Sequence, residues 1–197
     1  MKPRLVLASA SPRRADILRQ LGLSAEIRPA DVDESVEIDE QPGPHVERLA
    51  RSKAEAVQLL ETDAYVIGGD TVVVHEGAIL GKPADVDEAV HMLLGLSGAS
   101  HDVLSGIAIA GPGGTVSAVA RTRVHFRTFD EAFARAYVAT GEPMDKAGAY
   151  GIQGLGAALV DTIEGDFYSV VGFPIVAFLT LLDKAGLEYE FGVLRVR

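Results

Sequence analysis

The sequence predicts an α/β fold in one domain. Three observations carry this. Stretches with helical apolar spacing alternate with strand-like runs from end to end. Caps, prolines and glycines punctuate those stretches where elements should begin and end. The chain of 197 residues is 48% hydrophobic, enough for a sizeable core.

The opening residues imitate a signal peptide, with a basic start, an apolar run and Ala8-Ser9-Ala10. The run at 5–8 is much shorter than the roughly 7–15 residues such a segment needs, so it reads as a buried strand. Ser11 then offers an N-cap, Pro12 takes the first helical position, and Ile17, Leu18 and Leu21 form an apolar stripe that Gly22 closes. Residues 29–44 are acidic and proline-bearing and read as a long loop, followed by a helix over 46–60. Strand segments at 65–67 and 72–74 flank Gly68-Gly69-Asp70-Thr71, and Glu76-Gly77 turns the chain back toward Ile79 and Leu80.

Asp85 with Glu88 forms a capping box for a helix to Leu94. Residues 103–110 and 115–126 pair as a hairpin, with Val116, Ala118, Ala120, Thr122, Val124 and Phe126 sharing one face. Thr128 and Glu131 form a second capping box, for a helix ending near Gly141. A glycine-rich stretch at 141–156 reads as extended loop, followed by a strand near 157–163, a turn at Glu164-Gly165-Asp166 and a last helix over 174–184.

Charge and composition narrow the function classes. Net charge is −10, which disfavours a nucleic-acid polymer as partner but not a small anion met by a few converging cations. Cysteine is absent, which rules out disulfides and thiolate chemistry and fits a cytoplasmic setting. No stretch approaches the roughly 18 apolar residues of a membrane helix. The five histidines, His45, His75, His91, His101 and His125, lack metal-ligand spacing. Neither a P-loop nor a nucleophile elbow is present.

The candidate site residues stand out by conflict with their surroundings. Arg13 and Arg14 occupy the first turn of a helix, where the dipole opposes cations and favours an anion. A bound phosphate resolves that conflict, and so does solvation or pairing with acids. Lys53 falls on the buried stripe formed by Val46, Leu49, Ala50, Val57 and Leu60, so it either meets an internal partner or snorkels at the edge. Arg48, Arg51 and Glu55 lie off that stripe and read as surface. Asp70 sits amid strand sequence, placed as a metal ligand or general base, or else as a turn cap. Lys82, held extended before Pro83, is a weaker phosphate candidate. The acidic loop Asp31-Val32-Asp33-Glu34 offers carboxylates to Mg or Mn. Arg121, Arg123 and Arg127 read as solvent-facing.

Taken together, the segments LASASPRR (7–14), DVDE (31–34), LARSKA (49–54), GGDTVVV (68–74), LGKP (80–83), LSGASHDV (96–103), TGEPMDKAGAYGIQG (140–154) and VVGFP (170–174) resemble the Maf family of nucleoside triphosphate pyrophosphatases over nearly the whole length. The resemblance implies a Maf/ITPase-like α/β fold, a mixed central sheet flanked by helices with two lobes around a cleft, often a homodimer, and hydrolysis between the α- and β-phosphates with a divalent metal cation, Mg or Mn. By position, Asp70 matches the general base, and Glu34 with Asp70 the metal ligands. Lys53, Lys82 and Arg13 match phosphate-contacting cations, with Ser9 and Arg14 in the same motif. Arg13, Thr71 and Gln153 match the branch acting on dTTP, UTP and modified pyrimidine nucleotides, while a sister branch prefers 7-methyl-GTP. Ser105 stands where threonine is usual and Ser169 where asparagine is frequent. Rival readings are a purine-directed pyrophosphatase and a regulatory binding protein of septum formation.

Overall fold

A computed structural model describes residues 3–197. Strand β1 (Leu5–Leu7) leads into helix α1 (Pro12–Gln20), followed by β2 (Glu26–Ile27) and α2 (Pro42–Gln58). Next come β3 (Tyr65–His75), β4 (Ala78–Leu80), α3 (Val86–Leu96), and the long strands β5 (Ser100–Gly111) and β6 (Gly114–Phe126). Helix α4 (Glu131–Val138), three short 3-10 turns, β7 (Val160–Glu164), α5 (Phe167–Val171), α6 (Ile175–Lys184), β8 (Leu187–Glu190) and β9 (Val193–Val196) complete the described chain.

The main sheet runs β2-β1-β3-β5-β6-β7, with β4 paired to β3. Its β2-β1-β3 portion is parallel, whereas β4 and β7 pair antiparallel, so the sheet is mixed as the family resemblance implies. Strands β8 and β9 form a separate two-stranded ribbon. No helix among the described residues is long and apolar enough to cross a membrane.

Local chemistry explains most element boundaries. The Asp85 carboxylate accepts from Glu88 N at 2.8 Å, and Glu88 returns a bond to Ala84 N at 2.6 Å, so α3 starts where its capping box predicts. Glu76 and Gly77 both hold positive φ, the conformation a tight two-residue hairpin needs between β3 and β4. Elsewhere the structure corrects the sequence reading. Helix α4 is capped by Asp130, which accepts from Phe133 N at 2.9 Å, and not by Thr128. Phe129 N is bonded to Ser97 Oγ at 2.8 Å, which keeps Thr128 and Phe129 out of the helix. Helix α2 starts four residues ahead of Val46, because Pro42 at its first position lacks only an amide that has no helical partner there. Strand β3 is continuous through Gly68-Gly69-Asp70-Thr71, where the sequence suggests a break.

Two compact units are present. The first comprises the chain to Asp70, Ser105–Ala120 and Gly172–Arg197; the second comprises Thr71–Leu104 and Arg121–Val171. In the first, Ala50 and Ala54 of α2 pack on Ala108 and Ala110 of β5, and Val6, Val57 and Val66 fill a second cluster. Small side chains at that seam let the helix backbone approach the sheet closely. The second unit is more aromatic, with Phe126, Tyr137 and Tyr150 among Leu93, Leu96, Val103 and Leu159.

Candidate functional site

The first unit brings together charged side chains from three elements and one loop. The turn after β1 is pinned by Ala8 N donating to Ile67 O of β3 at 2.8 Å. Ser9, buried, accepts at Oγ from Ser11 N at 3.2 Å and from Arg14 Nη1 at 2.9 Å. Ser11 itself makes no side-chain cap, so the turn is braced by Ser9 instead. Arg14 Nε donates to Gly172 O at 2.9 Å, which fixes the guanidinium above the first turn of α1.

Arg14 retains some accessible surface, yet packing around its guanidinium is tight. Burial lowers its pKa most, Asp70 opposes that effect, Arg13 adds to it, and Glu34 opposes it again. Those influences place Arg13, Arg14, Asp70 and Glu34 in one electrostatic neighbourhood. A guanidinium stays charged in proteins, so the result is a fixed, partly enclosed cation.

Helix α2 supplies the centre of the site. Val46, Leu49, Ala50, Ala54 and Val57 are buried, and Lys53 lies among them, only 7% exposed. The choice between an internal partner and snorkelling is thereby decided. Lys53 Nζ is 2.9 Å from Asp70 Oδ1 and 2.6 Å from Glu34 Oε1. Leaving such an ammonium unpaired would cost on the order of several kcal/mol.

Glycine makes the reach feasible. A Cβ on Gly68 would lie 2.1 Å from Ala50 O and 2.7 Å from Ala54 N, and one on Gly106 would lie 2.1 Å from Val46 O. Only glycine lets α2 sit that close to β3 and β5, so Lys53 meets Asp70 across the seam. A Cβ on Gly69 would approach Arg14 Nε at 3.3 Å, so the next glycine leaves room for the arginine.

Glu34 comes from the loop between β2 and α2 and is itself exposed, yet that loop is anchored. Arg48 of α2 clasps Glu40 with Nε at 2.6 Å and Nη2 at 2.7 Å, and it donates to Ser35 O at 2.9 Å. Buried His45 adds a 2.8 Å contact to Glu40. Arg48 holds the Glu40 carboxyl far below the usual carboxylate range. Arg48 is therefore a structural anchor, correcting its reading as plain surface. The signal available in the sequence was its i+8 distance from Glu40 across a helix start, too loose a pattern to stand alone.

The remaining predicted residues belong to the second unit. Thr71 follows Asp70 on β3, so its side chain points to the opposite face. Lys82 is exposed just after β4, and Gln153 is exposed ahead of the 3-10 turn Gly154–Leu159. Arg121 and Arg123 are exposed and paired with Asp102, at 2.6 and 3.3 Å. No group of three or more acids or histidines suited to a metal exists among the described residues.

A buried lysine shared by two acids, beside two arginines at a helix start, sits on the segments that carry the family resemblance. The profile described as Maf-like protein matches residues 4–185, nearly the whole chain. This chain belongs to the Maf family. Among curated Maf relatives, the dTTP/UTP pyrophosphatase of Moorella thermoacetica is 51% identical over 189 residues, covering 94% of this chain and 96% of its own. The protein of the same name from Desulforamulus reducens is 46% identical, covering 95% and 99%. That from Pelotomaculum thermopropionicum is 49% identical, covering 92% and 96%. Ser105 is wholly buried, and Ser169 is buried with its Oγ 2.8 Å from Thr122 Oγ1.

Proposed function

We propose that this chain hydrolyses nucleoside triphosphates, with dTTP, UTP and modified pyrimidine nucleotides preferred, to the monophosphate and pyrophosphate. The observation that carries this reading is the Lys53 ammonium held between Asp70 and Glu34 beside the helix start that bears Arg13 and Arg14. Relatives of matching length and about half-identical sequence bear the name dTTP/UTP pyrophosphatase, which supports the same substrates here.

The donor set suits a divalent metal. Glu34 and Asp70 bring two carboxylates together at the Lys53 ammonium, 2.6 and 2.9 Å away, and Mg commonly takes one or two carboxylates and completes its shell with water and phosphate oxygens. When bound, Mg or Mn supplies charge neutralisation at the phosphates. The chain's own groups do the rest. Asp70 accepts the proton of the attacking water as general base toward the α-phosphorus. Lys53 orients Asp70 and adds positive charge, as preorganised cations do for developing phosphate charge. Arg13 holds phosphate oxygens at the start of α1, where the helix dipole favours an anion, with Ser9 and Arg14 fixing the shape of the turn. To Lys82 we assign pyrophosphate contact, and to Thr71 and Gln153 contact with the nucleobase. The Gln153 amide offers both a donor and an acceptor to a pyrimidine edge. A cytoplasmic nucleotide pool is the setting this reading requires.

The test is pyrophosphate release from dTTP, UTP, ITP and 7-methyl-GTP with Mg or Mn supplied. Metal-dependent release that is fastest with the pyrimidine nucleotides supports the reading. A preference for 7-methyl-GTP would move the substrate to the sister branch, and no release from any of the four would leave binding alone.

A further inference from the structure

Gln153 sits in a stretch of second-unit chain whose backbone is tied down by two upstream side chains. Glu142 Oε1 accepts from Tyr137 Oη at 2.9 Å and from Gly156 N at 3.0 Å, while Oε2 accepts from Leu155 N at 3.0 Å. Tyr137 Oη in turn accepts from Gly151 N at 3.2 Å. Amides on both sides of Gln153 thus converge on one tyrosine–glutamate pair.

Neighbouring packing tightens the clamp. Gly154 has φ +66°, and a Cβ there would lie 2.7 Å from Glu142 Oε2. Lys146 donates from Nζ to the Glu142 backbone carbonyl, pairs with Asp145 at 2.7 Å, and lays its stem over Gly151. Tyr137 is buried at the end of α4, so the hydroxyl is held from a rigid element. Burial acts most strongly on the Glu142 carboxyl and would raise its pKa, but the amides of Gly156 and Leu155 and the Tyr137 hydroxyl outweigh it, and the net direction is down. The carboxylate is therefore charged, and charge-assisted acceptors form the stronger class of hydrogen bond.

An exposed amide side chain discriminates bases only if its backbone is fixed to within about 0.5 Å. The glycines around Gln153 give no such rigidity themselves. We propose that Glu142, together with Tyr137, is a positioning residue that sets nucleobase selectivity by holding the backbone from which Gln153 projects. The inference rests on Gln153 being the base-contacting side chain.

The whole protein is assayed with dTTP, UTP and ITP as wild type, Glu142→Gln, Tyr137→Phe, Gln153→Ala and the Glu142→Gln/Gln153→Ala double variant, each checked by thermal melting. Glutamine keeps the shape of Glu142 but offers one acceptor oxygen in place of two. Glu142→Gln is expected to raise KM for dTTP roughly ten-fold and to erode the dTTP-over-ITP preference by a similar factor, with the change falling on KM and not on kcat. Tyr137→Phe moves the same quantities less far, and carries the test if Glu142→Gln fails to fold. In the double variant selectivity is no worse than in Gln153→Ala alone.

Equal loss on all three nucleotides for Glu142→Gln, with Gln153→Ala still collapsing selectivity, overturns the positioning role and leaves the base reader standing. Additive losses in the double variant also overturn it. Unchanged selectivity in Gln153→Ala overturns the base-reader assignment, and the positioning role falls with it.

Discussion

Lys53 Nζ lies 2.9 Å from Asp70 Oδ1 although the two residues sit on different elements, α2 and β3. The pair is mostly shielded from water, with side-chain exposures of 9% and 13%. A surface ion pair contributes little, but one this enclosed couples the geometry of helix and strand to the orientation of a carboxylate. Anything that shifts α2 against β3 shifts the proposed general base.

Asp70→Asn tests the base directly. The amide is nearly isosteric and still accepts from Lys53, so the fold should survive. Turnover should fall by roughly 10²–10⁴ if proton abstraction is the main role, and further if metal ligation is lost as well. Pyrophosphate release by a folded, contaminant-free variant measures this; near-wild-type turnover would remove Asp70 from the catalytic role.

Gly68→Ala tests the seam that brings the pair together. The added methyl meets backbone atoms Ala50 O and Ala54 N, which no rotamer change relieves. Overpacking commonly costs about 1–3 kcal/mol, and a backbone clash belongs at or above the upper end. The denaturant midpoint should drop accordingly, and turnover measured well below that midpoint should drop too, because Lys53 is pushed away from Asp70. Wild-type values for both would show that α2 does not depend on that glycine for its approach.

Much of this arrangement was legible in the sequence, and the failures have identifiable causes. Lys53 was conspicuous because i+3 and i+4 spacing placed a charge on an apolar stripe. Asp85 and Glu88 announced α3 because both halves of the box are local. Thr128 misled because a tertiary bond, Phe129 N to Ser97 Oγ, delays the helix to Asp130. The two glycines before Asp70 suggested a strand break, since what they do is tertiary: Gly68 admits α2 at residues 14 and 18 positions away, and Gly69 leaves room for Arg14. Arg48 looked like surface because its partner Glu40 lies in an irregular loop, where no periodicity predicts which side chains meet. Short β8 and β9 and the five-residue helix α5 carry too few residues for a periodic signal.

Arg48→Ala follows from that anchor. It removes both bonds to Glu40 and the bond to Ser35 O, and so frees the loop that holds Glu34 against Lys53. The expected result is a weaker response to metal, with the Mn concentration for half-maximal turnover rising roughly ten-fold, the scale set by losing a charged hydrogen bond. Turnover at saturating Mn should recover most of its wild-type value. An unchanged metal requirement would mean that Glu34 is held without Arg48 or does not serve the metal.

Acid sensitivity of the second unit should trace to His101. Its ring is buried against Phe126 and Tyr150 at centroid distances of 4.9 and 5.2 Å, with Nε2 2.7 Å from Tyr150 Oη. Burial is the main cause that brings its pKa down to about 4; His75 and His125 push the same way and Asp102 opposes them. Below the ordinary value near 6.5 the unfolded chain therefore takes up a proton that the folded chain refuses, so stability falls as pH drops from about 6.5 toward about 4. At neutral pH the group adds no such slope. A shift of this size amounts to roughly 3 kcal/mol once titration is complete. The comparison is between wild type and His101→Leu/Tyr150→Phe, which removes the imidazole without stranding the tyrosine hydroxyl. Melting temperature of the wild type should fall more steeply between roughly pH 6.5 and 4.5 than that of the double variant, whatever their offset at pH 7. Parallel curves would place the acid-sensitive group elsewhere.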